Sequence, residues 1–407
     1  MATIRAFGWT HTEIERNDFL LDTSQRPAYL LGVIQKWLMT ALQLLVTGLA
    51  VVLVSLATQL HTNAGLTGAS LVTLLSFGET LSELIKYYTG LETSIGAVNR
   101  LRTFSETVAP EDLPGEDLTP SESWPAGGRI VMRNVSAAYD VASLTRVGNL
   151  RDASSQGLCI RDFSLNILPG QKVAICGRTG SGKSTLILLL LRLLDPLPHC
   201  ANRIELDGVP LERIERATLR KRIIAIPQDA AFLPDGSNIR SNLDPFDESS
   251  PEDRRAVMEA VHLAHFVQHK GGLDRGMSAA DLSAGQKQLF SLGRAILRKR
   301  IRDRHVGNAN PSGGLLLLDE VSSNVDVATD RMMQEIIQHE FASYTIVMVA
   351  HRLEVVMKYF DHVIVLDKGA MVEQGAPAGL AMTPGTRFGE LWAMMTGHSD
   401  IDNHGPE

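Results

Sequence analysis

The sequence predicts two parts of different class: an all-α transmembrane segment followed by an α/β domain built on a largely parallel sheet. Three observations carry this reading. From Leu38 to Gly78 no Asp, Glu, Lys or Arg occurs. Residues 109–128 are dominated by Pro, Gly, Ser, Asp and Glu, the composition of an exposed linker without a core of its own. Beyond Arg129 short apolar runs alternate with amphipathic stretches: IVMRNVSAAY, FSLNI, KVAIC, a helical pattern from Lys183, then LLLLDE and TIVMVAH. That alternation is the pattern of strands and helices in a parallel α/β sheet. The expected boundaries are 1–97 for the membrane segment, with helices over about 30–60 and 66–88. Residues 98–128 form the linker, 129–385 the α/β domain and 386–407 a C-terminal tail.

The uncharged run is interrupted by the polar break His61-Thr62-Asn63-Ala64-Gly65, which predicts a helical hairpin. At about 1.5 Å per residue the arm Leu38 to Leu60 reaches about 34 Å, enough for a bilayer core of about 30 Å. The second arm meets Glu79 and Glu83 early. A charge at mid-membrane costs about 2.5–3.5 kcal/mol, so these two belong near the cytoplasmic end or against a protein interior. Arg16, Arg26 and Lys36 precede the hairpin and Lys86, Arg100 and Arg102 follow it, which places both flanks in the cytosol. Residues 1–20 hold Arg5, Glu13, Glu15, Arg16 and Asp18 with no long apolar run, unlike a secretory signal.

At 407 residues and roughly 150 per domain, two or three folding units are expected. Lys and Arg number 39 against 46 acids, a net charge of -7, so no global basic field invites nucleic acid. The three cysteines, Cys159, Cys176 and Cys200, form no CxxC pair, which argues against a disulfide framework or a thiolate zinc site. Mean hydropathy is +0.02, and the hairpin accounts for the apolar excess.

Gly177-Arg178-Thr179-Gly180-Ser181-Gly182-Lys183-Ser184 satisfies GxxxxGK[ST] between the strand Lys172 to Cys176 and a helix, the context a phosphate-binding P-loop requires. Gly177, Gly180 and Gly182 let backbone amides approach phosphates, with Thr179, Ser181 and Thr185 beside them. Lys183 reaches the terminal phosphates, and Ser184 offers an oxygen to Mg²⁺. The run Leu315 to Leu318 suits a strand buried on both faces and ends in Asp319-Glu320, which point oppositely. Asp319 is then placed to hold Mg²⁺ through water and Glu320 to activate an attacking water. Leu282-Ser283-Ala284-Gly285-Gln286 opens a further helix, with Ser283 and the Gly285 amide as anion donors. Without the other motifs it would read as a simple helix cap. A P-loop domain needs no second anion site in the same chain, so its natural use is to cap a triphosphate held by a second such domain.

The assembled set resembles the ATP-binding cassette (ABC) transporters over nearly the whole chain. GRTGSGKS is similar to Walker A, LLLLDE to Walker B and LSAGQ to the signature motif, where the family usually has LSGGQ. Ala284 departs from that pattern, while Ser283, Gly285 and Gln286 keep it. The resemblance implies an ABC-type P-loop NTPase domain with a helical signature subdomain, and ATP and Mg²⁺ as cofactors. By the same likeness Gln228 in IIAIPQDAAFL matches the Gln-loop that meets Mg²⁺ and senses the membrane domain. His351 in TIVMVAHRL matches the switch histidine, Asp326 the D-loop, and Tyr139 the aromatic that stacks on adenine. GRIVMRNVSAAY and VAICGRTGSGKST look most like the second half of subfamily C exporters, the multidrug-resistance-associated group, whose second cassette keeps the glutamate found here as Glu320. In that comparison Arg16 to Tyr29 is similar to a cytoplasmic loop that docks on the cassette.

The implied activity is ATP hydrolysis coupled to export of a small molecule by an integral membrane protein of the plasma or vacuolar membrane, with the cassette in the cytosol. The implied partners are the lipid bilayer, a second ABC nucleotide-binding domain and membrane helices missing from this chain. Two other readings compete. One is a soluble cassette protein, which the uncharged run opposes. The other is a truncated or regulatory fragment that binds ATP without independent transport activity, since two helices cannot enclose a path.

Overall fold

The computed structural model describes residues 2–60, 63–108, 110–139, 157–197, 203–307, 313–321 and 325–396. The chain divides into two compact units, residues 1–111 and 112–407.

The first unit is helical: α1 (Ala2–Ala6), α2 (Thr10–Gln59) and α3 (Ala64–Thr107). Helices α2 and α3 form an antiparallel hairpin. Gln35 donates to the Thr89 hydroxyl at 3.1 Å, and Val46, the buried residue of α2, lies against Gly78. A methyl added at Gly78 would sit 3.2 Å from a Val46 methyl, so the missing side chain is what lets the helices approach. Asn63 caps α3 by accepting from the Gly65 amide. The expected tip at 61–65 falls partly on residues 61 and 62, outside the described residues.

Three expectations are corrected here. Residues 16–29, likened to a loop, are helical: α2 starts at Thr10 and continues through Pro27. Proline removes one amide donor from the ladder, and the amphipathic stretch before it is otherwise free of helix breakers. The helices are longer than 30–60 and 66–88. And 98–128 is not one linker, because α3 runs to Thr107 while the second unit begins at Asp112. Trp37, Leu44, Leu45 and Val51 of α2 are exposed apolar side chains. By length and composition α2 can cross a membrane.

The second unit contains two sheets. A six-stranded sheet has the order β10 (Ala370–Gly375), β9 (His362–Asp367), β3 (Lys172–Gly177), β8 (Thr345–Val349), β7 (Leu315–Asp319), β6 (Ile224–Ile226). All neighbours in it are parallel except the β10–β9 hairpin. A smaller antiparallel sheet has the order β2 (Ile160–Ile167), β1 (Ile130–Ala137), β4 (Arg203–Leu206), β5 (Val209–Pro210).

Strands β3 and β7 are buried on both faces, and their residues alternate between two cores. Val173, Ile175, Leu315 and Leu317 join the small sheet and helix Lys183–Leu190. Ala174, Cys176, Leu316 and Leu318 join helices Ala284–Val306 and Val327–Glu340. This is why four consecutive leucines make a strand rather than an amphipathic element. Each buried leucine side chain contributes about 1.5–3 kcal/mol.

Residues 112–128 are fastened to this unit. Trp124 is buried and its indole donates to the Leu206 carbonyl at 3.0 Å. Leu118 bridges Ile214, and Glu116 is gripped by Arg192 and Arg216. Residues 140–156 and 308–312 lie outside the described residues, as does Cys200. In the tail, Arg387–Thr396 is a helix and 397–407 is outside the description.

Candidate functional site

The strand order decides where chemistry gathers. Strands β3, β8, β7 and β6 are parallel neighbours. Their carboxyl ends therefore deliver the P-loop, His351, Asp319-Glu320 and Gln228 to one edge, the edge at which open α/β sheets bind ligands.

Strand β3 enters the P-loop through Gly177, at φ +150°, where a Cβ would run into the Leu366 carbonyl oxygen. Gly182 caps the next helix at φ +101°, and a Cβ there would lie 2.8 Å from the Cys159 carbonyl oxygen. Both positions exclude any side chain. Lys183 is buried, and its ammonium donates to the carbonyls of Gly177 (3.1 Å) and Arg178 (3.0 Å), folded onto the loop it serves. The Ser184 hydroxyl donates to Asp319 Oδ1 at 2.9 Å. Burial pushes the Asp319 carboxyl above its usual range, and the neighbouring Glu320 charge adds to this, while the Ser184 hydroxyl, Lys183 and His351 oppose it.

Glu320 follows β7 with φ +48°, in the left-handed region. Such a conformation costs about 1–3 kcal/mol, and the turned carboxylate gains two partners. Its Oε2 accepts from Gln228 Nε2 at 3.0 Å, and its Oε1 lies 2.5 Å from His351 Nε2. Lys183, Ser184, Asp319, Glu320, Gln228 and His351 thus form one connected cluster.

Other predicted residues are placed differently. The Tyr139 hydroxyl lies 3.0 Å from the Thr185 hydroxyl, with the tyrosine exposed and Thr185 buried. Ser283 caps helix Ala284–Val306: its hydroxyl accepts from the Gln286 amide at 3.2 Å, and the Gln286 side chain accepts from the Ser283 amide at 2.9 Å. Ala284 is exposed, and Gly285 lies close to Thr329. Among the described residues Ser283, Gly285 and Gln286 make no hydrogen bond to the P-loop cluster. Asp326 caps helix Val327–Glu340 by accepting from the Thr329 amide, and the hydrogen bonds from Thr329 hold its carboxyl below the ordinary aspartate range. Residues 322–324 beside it lie outside the description. The two described cysteines offer no nucleophile: burial pushes the Cys176 thiol up to about 12 and raises that of Cys159.

The residues fit a magnesium nucleotide. Ser181 Oγ is buried within the loop without a hydrogen-bond partner, an orphan that a phosphate oxygen would satisfy. Gly177, Gly180 and Gly182 all take positive φ, and the space beside Gly180 is open, with no protein atom within 4 Å of where its Cβ would lie. The hydroxyl of Ser184, the carboxylate of Asp319 and the amide of Gln228 are the oxygen donors that a hard dication takes.

One residue of the cluster was missed in the sequence. Gln288 donates from Nε2 to the Gln228 carbonyl at 2.6 Å. Its signal was a glutamine on the apolar face of a helix, next to Leu289 and Phe290.

Comparison with known proteins agrees with this geometry. Residues 160–301 match the ABC transporter family model. The chain is 52% identical over 406 residues to the ABC-type transporter braE of Annulohypoxylon truncatum, covering 97% of this chain and 27% of that protein. It is 54% identical over 394 residues to the ABC transporter FGM5 of Gibberella zeae, covering 97% and 26%. The chain therefore spans about a quarter of the length of these curated relatives. Among solved structures it is similar to a bacterial Atm1-family ABC exporter with ATP bound, at a TM-score of 0.73 and 24% identity, covering 97% of this chain and 65% of that one.

Proposed function

We propose, from the premise that this chain carries an ABC transporter ATP-binding domain, that it hydrolyses ATP and couples the cycle to export of a small molecule across a membrane. It would do so as the C-terminal portion of a subfamily C exporter. The observation that carries this reading is the Glu320 carboxylate, held by Gln228 and His351 beside the Ser184–Asp319 pair.

In this mechanism the P-loop amides and the Lys183 ammonium bind the phosphate chain; that lysine is buried, with its ammonium on the carbonyls of the loop. ATP supplies the phosphoanhydride and Mg²⁺ the charge neutralisation, with Ser184, Gln228 and Asp319 as the residues that hold the ion. Glu320 takes a proton from the attacking water at its carboxylate. His351, in contact with the same carboxylate, fixes its direction. Ser283 and the amides of Gly285 and Gln286 lie exposed or half-exposed at a helix start, suited to closing over nucleotide held by a second cassette. Tyr139 lies at the edge of the P-loop helix, where an adenine would stack. Helix α2, and α3 with it, would sit in the bilayer of a plasma or vacuolar membrane, with the cassette in the cytosol.

The test is Glu320→Gln in the purified chain. ATP turnover is expected to fall to background while nucleotide binding persists. Undiminished turnover would refute the assignment of the base.

A further inference from the structure

We infer that Gln288 is a positioning residue for the Glu320 carboxylate, acting through the main chain of Gln228. The inference rests on the reading of Glu320 as the base.

Gln288 lies on helix Ala284–Val306, whose first residue follows the cap Ser283. It is 8% exposed and flanked by buried Leu289 and Phe290. Its Nε2 donates to the Gln228 carbonyl at 2.6 Å, and the Gln228 side chain in turn donates to Glu320 Oε2 at 3.0 Å. The Gln288 Oε1 is buried without a partner. A buried amide with half its hydrogen bonding unmet is a poor choice for stability alone, and an apolar residue would serve a plain core better. What Gln288 does supply is a fixed point for the Gln228 backbone.

A second clamp on the same helix keeps this point from pivoting freely. Arg294 donates to the carbonyls of Ala231 and Asn242, with its guanidinium over the rings of Phe232 and Phe290. The six residues from Gln288 to Arg294 span about 9 Å of helix, so the loop after β6 is held at two separated points on one rigid rod. When that rod shifts, the Gln228 main chain shifts with it, and the amide that contacts Glu320 follows. The helix beginning at Ser283 is thereby tied within one chain to the carboxylate at the end of β7.

The experiment is a double-mutant cycle on the full chain, with Gln288→Met and Gln228→Ala, read as ATP turnover and as amide hydrogen exchange. In the native background Q288M is expected to lower kcat about tenfold with KM for ATP within twofold, because among the described residues the Gln288 side chain bonds the Gln228 carbonyl and no P-loop residue. In the Q228A background Q288M is expected to change kcat by less than twofold. Exchange of amides 228–233, among them the Leu233 amide bonded to Asn242 Oδ1, should rise in Q288M while that of 177–185 stays unchanged, and this second readout holds equally in a hydrolysis-silent E320Q protein. Gln288→Glu, which loses the donor and adds a carboxylate against the carbonyl, should reproduce the loss more severely should the methionine variant fold poorly. Equal losses of kcat in both backgrounds, or unchanged exchange at 228–233, would overturn the inference. Turnover that survives E320Q would overturn the assignment of the base instead, and leave the exchange result standing.

Discussion

Replacing Glu116 by Gln removes one negative charge from a cluster that holds two buried positive ones. Glu116 Oε1 accepts from Arg192 at 2.7 Å and from Arg216 at 2.9 Å, and its Oε2 accepts from Arg216 Nε at 2.9 Å. The glutamate side chain is 4% exposed and the arginines 5% and 4%, so water cannot take over the lost interaction. Asp195 contacts both arginines but is 39% exposed, and it alone would face two guanidinium groups. Breaking a buried pair by removing one partner costs about 3–5 kcal/mol, and the near-identical shape of Gln confines the change to charge. At about 2–4 °C per kcal/mol for a unit of this size, the lower figure predicts a fall in Tm of about 6–12 °C at pH 7. The assay is thermal denaturation of the chain followed by circular dichroism. Burial raises the Glu116 carboxyl, but the hydrogen bonds from Arg216 and the Leu113 backbone and the charges of Arg192 and Arg216 outweigh it and hold the group below its ordinary value of 4.5. Its stabilisation is therefore complete above pH 4.5 and lost as the pH falls through the lower folded value. E116Q should show no such step. A shift of less than about 2 °C at pH 7 would refute the reasoning that the cluster is dry and charge-balanced.

The remaining expectations are simpler. Gly177→Ala should abolish binding of a fluorescent nucleotide, because the added methyl collides with the Leu366 carbonyl oxygen in a backbone conformation that disfavours side chains; wild-type affinity in a titration would contradict this. Trp124→Phe keeps most of the buried ring but loses the hydrogen bond to the Leu206 carbonyl, so urea unfolding should report a loss of about 0.5–1.5 kcal/mol. Ser283→Ala removes the cap of helix Ala284–Val306, costing about 1 kcal/mol in the same assay. Under the proposed function it should also stop turnover while leaving ATP binding to the P-loop intact.

Much of the cluster was legible because its parts carry local rules. The P-loop announces itself by glycines at positions where only glycine fits, and the run Leu315 to Glu320 by a strand apolar on both faces that ends in acids. Other parts were not legible. Nothing within residues 98–128 shows that Glu116 and Trp124 are buried, because their partners Arg192, Arg216 and Leu206 lie far along the chain. A composition rich in Pro, Gly and acids reads as linker unless the pairing is seen. The helical run through Arg16 to Tyr29 was hidden for a different reason, since the likeness there was to a loop, whereas one continuous helix runs through it and through Pro27.

The sequence by itself determined the α/β class, the P-loop and the residue types at the site, since periodicity and glycine requirements act over a few neighbouring residues. Only the tertiary structure decided that Gln228, His351 and Glu320 meet, that Ser283 makes no hydrogen bond to them, and that Gln288 on its helix bonds the Gln228 carbonyl in the loop after β6. Those facts follow from the order in which parallel strands stack, and strand order is set by the burial of whole faces rather than by any local stretch of chain.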